Sequence, residues 1–479
     1  MTTTTKKTIE INPVSRVEGH GKVTIFLDDN GNVADTQVNI TQFRGFEKFC
    51  EGRMFWEMPE ITPRICGICP VSHQLASAKA CDVVMGVTIT PAAKLLRELM
   101  HMGQIFQSHT LHFFHLASPD LIFGPDADPA KRNVIGLIAA KPDLAVKAVK
   151  MRSYGQTIIQ KLGGKKVHPT GAIAGGMNTA LSIADRDELL KPIDSLIADV
   201  NMGLYIIKNY HYEHSDIMES FATFPSSYLS LVDENNNLQL YDGKFRMIDA
   251  NGKVLEDQYD PAKYLDIIAE HVEDWSYLKF PVYKKQGYPK GMYRTGPLGR
   301  LNACQGITTP LANDELKKFK KLGKNGIVEG TMYYHYARLI ELMYSIERIQ
   351  QLLNEKDICS TDILTTSNTY NEQGVGVIEA PRGALIHHYW VDNSGKMVKV
   401  NLIVATGNNN LAINKSVNMV AKQYIKNNHI TEGILNRVEM AIRCYDPCFS
   451  CSTHAIVGEM PLVLQVVSSD GEIVKELSR

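Results

Sequence analysis

The chain has 479 residues, with 51 lysines and arginines against 52 aspartates and glutamates and a formal net charge of -1 at pH 7. That balance excludes the basic surplus of a nucleic-acid binder, and no run approaches the ~18 apolar residues of a membrane-spanning helix. Hydrophobic residues at 44% and charged residues at 22% are the proportions of a globular protein long enough to bury a large core.

The opening Met1-Thr2-Thr3-Thr4-Thr5-Lys6-Lys7 lacks the apolar stretch of a secretory signal. Nine cysteines are an odd number, and without a signal they argue for reduced thiols rather than a disulfide framework. A cytoplasmic location is expected, unless a partner carries an export signal.

In chain order, residues 8–40 alternate as strands do, with Asp28-Asp29-Asn30-Gly31 as a turn. Residues 92–117 place Leu95, Leu99, Met102, Phe106 and Phe113 near helical spacing, behind Pro91. A second helix is expected over 143–162, opened by Asp143 as N-cap and closed by Gly163-Gly164. Residues 184–220 also have a helical pattern, whereas 228–302 mix glycine, proline and short alternating runs. The cleanest helix spans 331–353, with Tyr336, Leu339, Ile340, Met343 and Ile346 on one stripe. Strands are expected over 375–379, 385–391 and 397–405, then a helix over 431–443. The tail reads as a strand, Pro461 to Val467, and a turn at Ser469-Asp470-Gly471. No repeat or low-complexity linker divides the chain.

Two cysteine motifs stand at opposite ends: Arg64-Ile65-Cys66-Gly67-Ile68-Cys69-Pro70-Val71-Ser72-His73 and Asp446-Pro447-Cys448-Phe449-Ser450-Cys451-Ser452-Thr453-His454. Two-residue spacing lets both thiolates of a pair face one centre, and thiolates select soft or borderline metals. A structural zinc site is the plain alternative, although zinc ribbons usually separate their pairs by only ~15–20 residues. A thioredoxin-type redox pair would need a neighbouring βαβ unit, which the pattern does not contain.

Together with Arg16-Val17-Glu18-Gly19-His20, Phe43-Arg44-Gly45-Phe46-Glu47-Lys48 and Glu379-Ala380-Pro381-Arg382-Gly383, these motifs resemble those of nickel–iron hydrogenase large subunits. The resemblance runs in order from about residue 9 to 460. It implies an α+β fold in which a core of long helices carries small peripheral sheets, as one catalytic domain over 1–454 with an N-terminal β-region at about 8–45. It also implies that Cys66, Cys69, Cys448 and Cys451 bind nickel. Cys69 and Cys451 would also bridge to an iron carrying carbon monoxide and cyanide, leaving Cys66 and Cys448 terminal. Such a centre splits dihydrogen heterolytically as a Lewis acid. The base would be the Cys448 thiolate, passing its proton to Glu18. Without the motif, Glu18 would be read as a surface carboxylate.

By the same resemblance, Arg382, after Pro381, overhangs the metals and pairs with Asp446, while His73 tunes a bridging thiolate through its ring. Many relatives add a second acid to this canopy; the aligned position here is Ser108. Glu47, His454 and the backbone carbonyl of Leu402 match a magnesium site. Residues Ala455 to Arg479 correspond to an extension that a maturation endopeptidase removes once nickel-insertion factors have loaded the centre.

His109, His112 and His115 recur at every third position, which drifts around a helix, so packing or partner contacts suit them better than ligation. Cys50, Cys81, Cys304, Cys359 and Cys444 have no paired spacing and are read as small buried apolar groups. Gly374-Val375-Gly376-Val377-Ile378-Glu379 lacks the third glycine and the helix of a dinucleotide fingerprint. With no P-loop either, a nucleotide is not expected on this chain. Within the family, residues 43–53 and 56–64 resemble the soluble branch of NAD-linked bidirectional hydrogenases. Iron–sulfur clusters and FMN would then lie on partners, namely diaphorase chains and a hydrogenase small subunit. Related enzymes that serve a deazaflavin or a heterodisulfide reductase share these stretches. A homologue that no longer catalyses, in a quinone-linked complex, would normally have lost the four cysteines.

Overall fold

The computed structural model of the chain describes residues 8–40, 45–452, 463–467 and 473–478. It opens on an antiparallel sheet of β1 (Thr8–Ile11), β2 (Gly21–Leu27) and β3 (Val33–Ile40), in that order. Val23, Ile25 and Leu27 turn inward at every second position. The Asp28 carboxylate accepts from the amides of Asn30 at 3.0 Å and Asn32 at 2.8 Å and so closes the expected turn.

The core is helical: α1 (Pro70–Val84), α2 (Pro91–Leu111), α3 (Pro142–Gly163), α4 (Ile193–Glu213), α5 (Gly296–Ala303) and α6 (Tyr333–Leu353). Proline stands in the first turn of α1, α2, α3 and α5, where its missing N–H costs nothing. Helix α2 packs against α3 and α6, and α6 also against α4. Backbones approach closely where Gly103 meets Gly155; a Cβ on Gly155 would lie 2.5 Å from the Gly103 carbonyl oxygen. The α6 stripe Tyr336, Leu339, Ile340, Met343 and Ile346 is buried as expected, but so are Arg338 and Glu341 on its other side. Charges on a helix buried all round must find partners inside the protein.

Three expected boundaries are corrected. Helix α3 begins at Pro142, after Lys141 at the cap, and Asp143 is only an acid in its first turn; Gly164 in the left-handed conformation does end it. The 184–220 segment is three helices, Ile183–Leu190, α4 and Ser215–Ser220, the first break falling at Lys191-Pro192 because proline cannot continue a helix. In 92–117, α-helical bonding stops at Leu111 and a wider π-type turn covers His112–Ala117.

Residues 228–302 form a four-stranded sheet ordered Tyr293–Arg294, Ser227–Val232, Lys244–Ile248 and Val254–Tyr259, with a separate two-stranded ladder nearby. An antiparallel meander follows, β4 (Gln373–Ala380), β5 (Gly383–Val391) and β6 (Met397–Ile403), against which α1 packs. A Cβ on Gly376 would stand 2.0 Å from the Ala76 carbonyl oxygen, and one on Gly374 would stand 2.2 Å from that of Ala80. The glycine pair therefore serves strand-to-helix packing. Helices α7 (Asn410–Tyr424) and α8 (Glu432–Cys444) pack on each other and lead into the second cysteine motif. Strands Val463–Val467 and Ile473–Ser478 pair antiparallel; the turn expected at 469–471 lies outside the described residues.

Candidate metal centre

The first motif lies between a tight helical turn ending at Ile65 and the start of α1, so Cys69 occupies the α1 cap position. Gly67 at the tip is exposed, whereas Cys66 and Cys69 are 2% and 5% exposed. Two glutamines a turn apart on α2 hold this loop: Gln104 and Gln107 donate to the Ile68 carbonyl oxygen at 2.8 and 3.0 Å. The second motif leaves α8 through Asp446, whose φ of 53° is left-handed and turns the chain sharply. Residues 448–450 then run beside the segment that precedes β2. Cys448 bridges Glu18 in parallel, and the Phe449 amide donates to the Glu18 carbonyl oxygen at 3.0 Å. Gly19 and Gly21 make room for this pairing, since a Cβ on either would lie 2.7 Å from Ser450 N or the Phe449 ring.

Cys66, Cys69 and Cys448 thereby converge. All three are buried, and their sulfurs lie within 4.8 Å of one another. Cys66 Sγ is 3.2 Å from Cys448 Sγ and accepts from the Ile68 and Cys69 amides at 3.2 and 3.3 Å. Amide donors favour a negatively charged sulfur, and a dry cluster of such donors suits a soft metal. Cys451 lies in the short helix Phe449–Ser452, but its side chain and His454 lie outside the described residues.

A cavity of about 10 Å³, on the order of the space one water-sized molecule takes, adjoins Cys69 and Cys448 and is walled by His73, Arg382 and Thr406. Thr406, which the motifs did not single out, accepts the Cys448 amide at 2.9 Å through Oγ1. Glu18 Oε2 accepts from Cys448 Sγ at 2.9 Å and from the Ser450 amide at 3.2 Å. His73 Nδ1 lies 3.2 Å from His387 Nε2, whose ring continues to Tyr389 Oη at 2.7 Å.

Arg382 stands in the turn between β4 and β5. Its Nη2 donates to Asp446 Oδ1 at 3.0 Å, its Nε donates to the Asp446 carbonyl oxygen, and Nη1 is buried with no hydrogen-bond partner among the described residues. Burial opposes the Arg382 charge, but Asp446 and then the sulfurs of Cys69, Cys448 and Cys66 outweigh it and hold the guanidinium protonated. Burial pushes the Asp446 carboxyl up against the pull of Arg382 and Arg338. Ser108 is buried too and its Oγ has no hydrogen-bond partner among the described residues, so Asp446 is the acid that this arginine meets among them. Pro381 precedes this arginine in the turn, and its carbonyl oxygen accepts from Arg300 at 3.1 Å.

Glu47 is buried and accepts the Leu402 amide at 2.7 Å, so two of the three positions expected around magnesium are neighbours. Histidines and cysteines read as packing groups have partners or surroundings of their own. His109 bonds Glu341 at 2.9 Å, and His112 lies 2.7 Å from the Arg443 carbonyl oxygen. Burial pushes the thiols of Cys50 and Cys444 up to about 12, which suits inert packing groups.

A model of the nickel-dependent hydrogenase family matches residues 44–135 and 228–454, and a HoxL-like model matches residues 8–43. The beta subunit of the NAD-reducing hydrogenase HoxS of Cupriavidus necator is 42% identical over 484 residues, covering 98% of this chain and 99% of that one. One chain of the F420-non-reducing hydrogenase vhc of Methanococcus voltae is 44% identical over 480 residues, with 98% and 99% covered. The crystal structure of an NAD+-reducing NiFe-hydrogenase in the H2-reduced state superposes with a TM-score of 0.91 at 44% identity, covering 94% of this chain and 99% of that one.

Proposed function

Since the chain belongs to the nickel-dependent hydrogenases, as a catalytic nickel–iron subunit, we propose that Cys66, Cys69, Cys448 and Cys451 hold its metals and that its electrons reach NAD on partner subunits. The observation that carries the metal assignment is the convergence of the buried Cys66, Cys69 and Cys448 sulfurs within 4.8 Å of one another, with Cys69 and Cys448 lining a cavity that Arg382 also walls. When bound, a nickel–iron centre with carbon monoxide and cyanide on the iron supplies the Lewis acidity and redox change that cleave dihydrogen. The residues do the rest. Cys448 Sγ takes the proton and hands it to Glu18 Oε2, 2.9 Å away and held in line by the Ser450 amide. Arg382, fixed by Asp446, keeps Nη1 without a hydrogen-bond partner among the described residues, and that donor would be available to the polar ligands of a bound centre or to substrate. His73 walls that pocket, and Pro381 belongs to the turn that presents Arg382. Glu47, the Leu402 carbonyl and His454 are assigned to magnesium, and Ala455 to Arg479 to a segment removed after loading.

Metal analysis with infrared spectroscopy of the purified complex tests the centre. Nickel and iron together with carbonyl and cyanide bands are expected; zinc alone, or no such bands, overturns it. The likeness to the NAD-reducing enzymes supports NAD as acceptor. The Methanococcus voltae relative, of comparable identity and named as F420-non-reducing, supports a second reading in which electrons pass to a heterodisulfide reductase system rather than to NAD or a deazaflavin. Hydrogen-dependent NAD reduction by the native complex decides between them.

A further inference from the structure

The turn that presents Arg382 is held from behind by a buried device that no cysteine motif contains. Arg300, on α5, is 0% exposed and engages all five of its N–H donors. Nε and Nη2 grip the Glu341 carboxylate of α6, each at 2.6 Å. Nη1 donates to Glu379 Oε2 at 2.9 Å and to the Ala380 carbonyl oxygen at 2.8 Å, and Nη2 donates to the Pro381 carbonyl oxygen at 3.1 Å. The two carbonyls immediately before Arg382 are thus pinned by one rigid planar group.

The other side of the turn is equally confined. The Arg382 carbonyl oxygen accepts Asn409 Nδ2 at 3.2 Å, and Gly296 at the start of α5 lies against it, so that a Cβ there would come within 2.9 Å. Glu341 is itself fixed by His109 at 2.9 Å and Glu379 by the Leu231 amide at 2.9 Å. A guanidinium whose placement matters on the scale of 1 Å needs such support.

We infer that Arg300, seated by Glu341 and Glu379, is a positioning residue that sets where the Arg382 guanidinium stands over the cysteine cavity. The inference rests on the hydrogenase reading and adds a residue to it. A purely structural role would stabilise the core without specific coupling to Arg382. Lysine at 300 keeps the charge but cannot hold two carbonyls and a carboxylate pair in one plane.

Arg300→Lys, Arg382→Lys and the double variant, purified as holoenzyme complexes, test it through turnover, nickel content and the infrared bands of the iron-bound cyanides. The expected result is a 10- to 100-fold fall in kcat for Arg300→Lys at unchanged nickel content, with cyanide bands displaced in the same direction as in Arg382→Lys. In the Arg382→Lys background, Arg300→Lys should change kcat by less than about 2-fold. Multiplicative losses, or unshifted bands, overturn the inference. Glu341→Gln, which loosens the seat but keeps Arg300, should show the same coupling if Arg300→Lys does not load metal; if neither variant loads, the role is structural and the inference falls. Absence of nickel or cyanide bands from the unmodified enzyme would instead overturn the hydrogenase reading itself.

Discussion

Replacing Glu18 by glutamine tests the proton route most directly. The side chains have nearly the same shape, and the Gln carbonyl oxygen can still accept the Ser450 amide that Glu18 Oε2 accepts at 3.2 Å. The backbone bond from Phe449 to residue 18, at 3.0 Å, does not involve the side chain. Folding and metal loading should therefore be preserved. What disappears is the proton acceptor 2.9 Å from Cys448 Sγ. A positioned acid–base group contributes about 10²–10⁴ in rate, or roughly 3–5 kcal/mol of barrier. Hydrogen oxidation with an artificial dye, normalised to nickel, should fall by that factor while the cyanide and carbonyl bands stay in place. Turnover within a few-fold of the unmodified enzyme, at equal nickel content, would refute the route.

The remaining predictions concern packing and pH. Gly376→Ala puts a methyl 2.0 Å from a backbone oxygen of α1, forcing away the helix whose N-cap is Cys69; a stability loss of about 1–3 kcal/mol or more is expected by denaturant unfolding. Gly407→Ala meets nothing nearer than Asn410 Nδ2 at 4.0 Å and should be neutral, so equal behaviour of the two would disprove the close approach. Burial raises the Glu379 carboxyl from 4.5 to about 7, against Arg300, because Arg300 is shared with Glu341. A raised acid contributes stability that is fully present below pH 4.5 and lost as pH rises to about 7; the difference is on the order of 3 kcal/mol. Glu379→Gln should remove this component, and parallel stability–pH curves for the two proteins would contradict it. Arg382→Lys should leave nickel content near normal but lower turnover by more than 10-fold, because a lysine cannot bond the backbone carbonyl oxygen and Oδ1 of Asp446 while presenting further donors.

The cysteine chemistry and much of the secondary structure were legible in the chain itself. Spacing identified the two cysteine pairs, and period and turn chemistry located β1–β3, α2, α6 and the β4–β6 meander, because these signals are local. Boundaries failed where a single residue decided them, as at Pro142 and Pro192. The Gly374/Gly376 pair was separated from a nucleotide loop by motif, yet its use became visible only where α1 presses on β4.

Other parts of the site depend wholly on tertiary structure. That Glu18 meets Cys448 follows from a parallel pairing between segments 430 positions apart, which no local pattern encodes. Thr406, Gln104 and Gln107 serve the cysteine loops through single hydrogen bonds and carry no motif. Arg300, Glu341 and Glu379 come from a helix, a second helix and a strand; Glu379 opens a motif, but no local pattern joins it to the other two. Only burial, which makes an unpaired charge costly and therefore forces partners on it, turns them into one device. The sequence by itself determined which atoms can bind a metal; the fold decided which of them meet, and what holds the arginine above them.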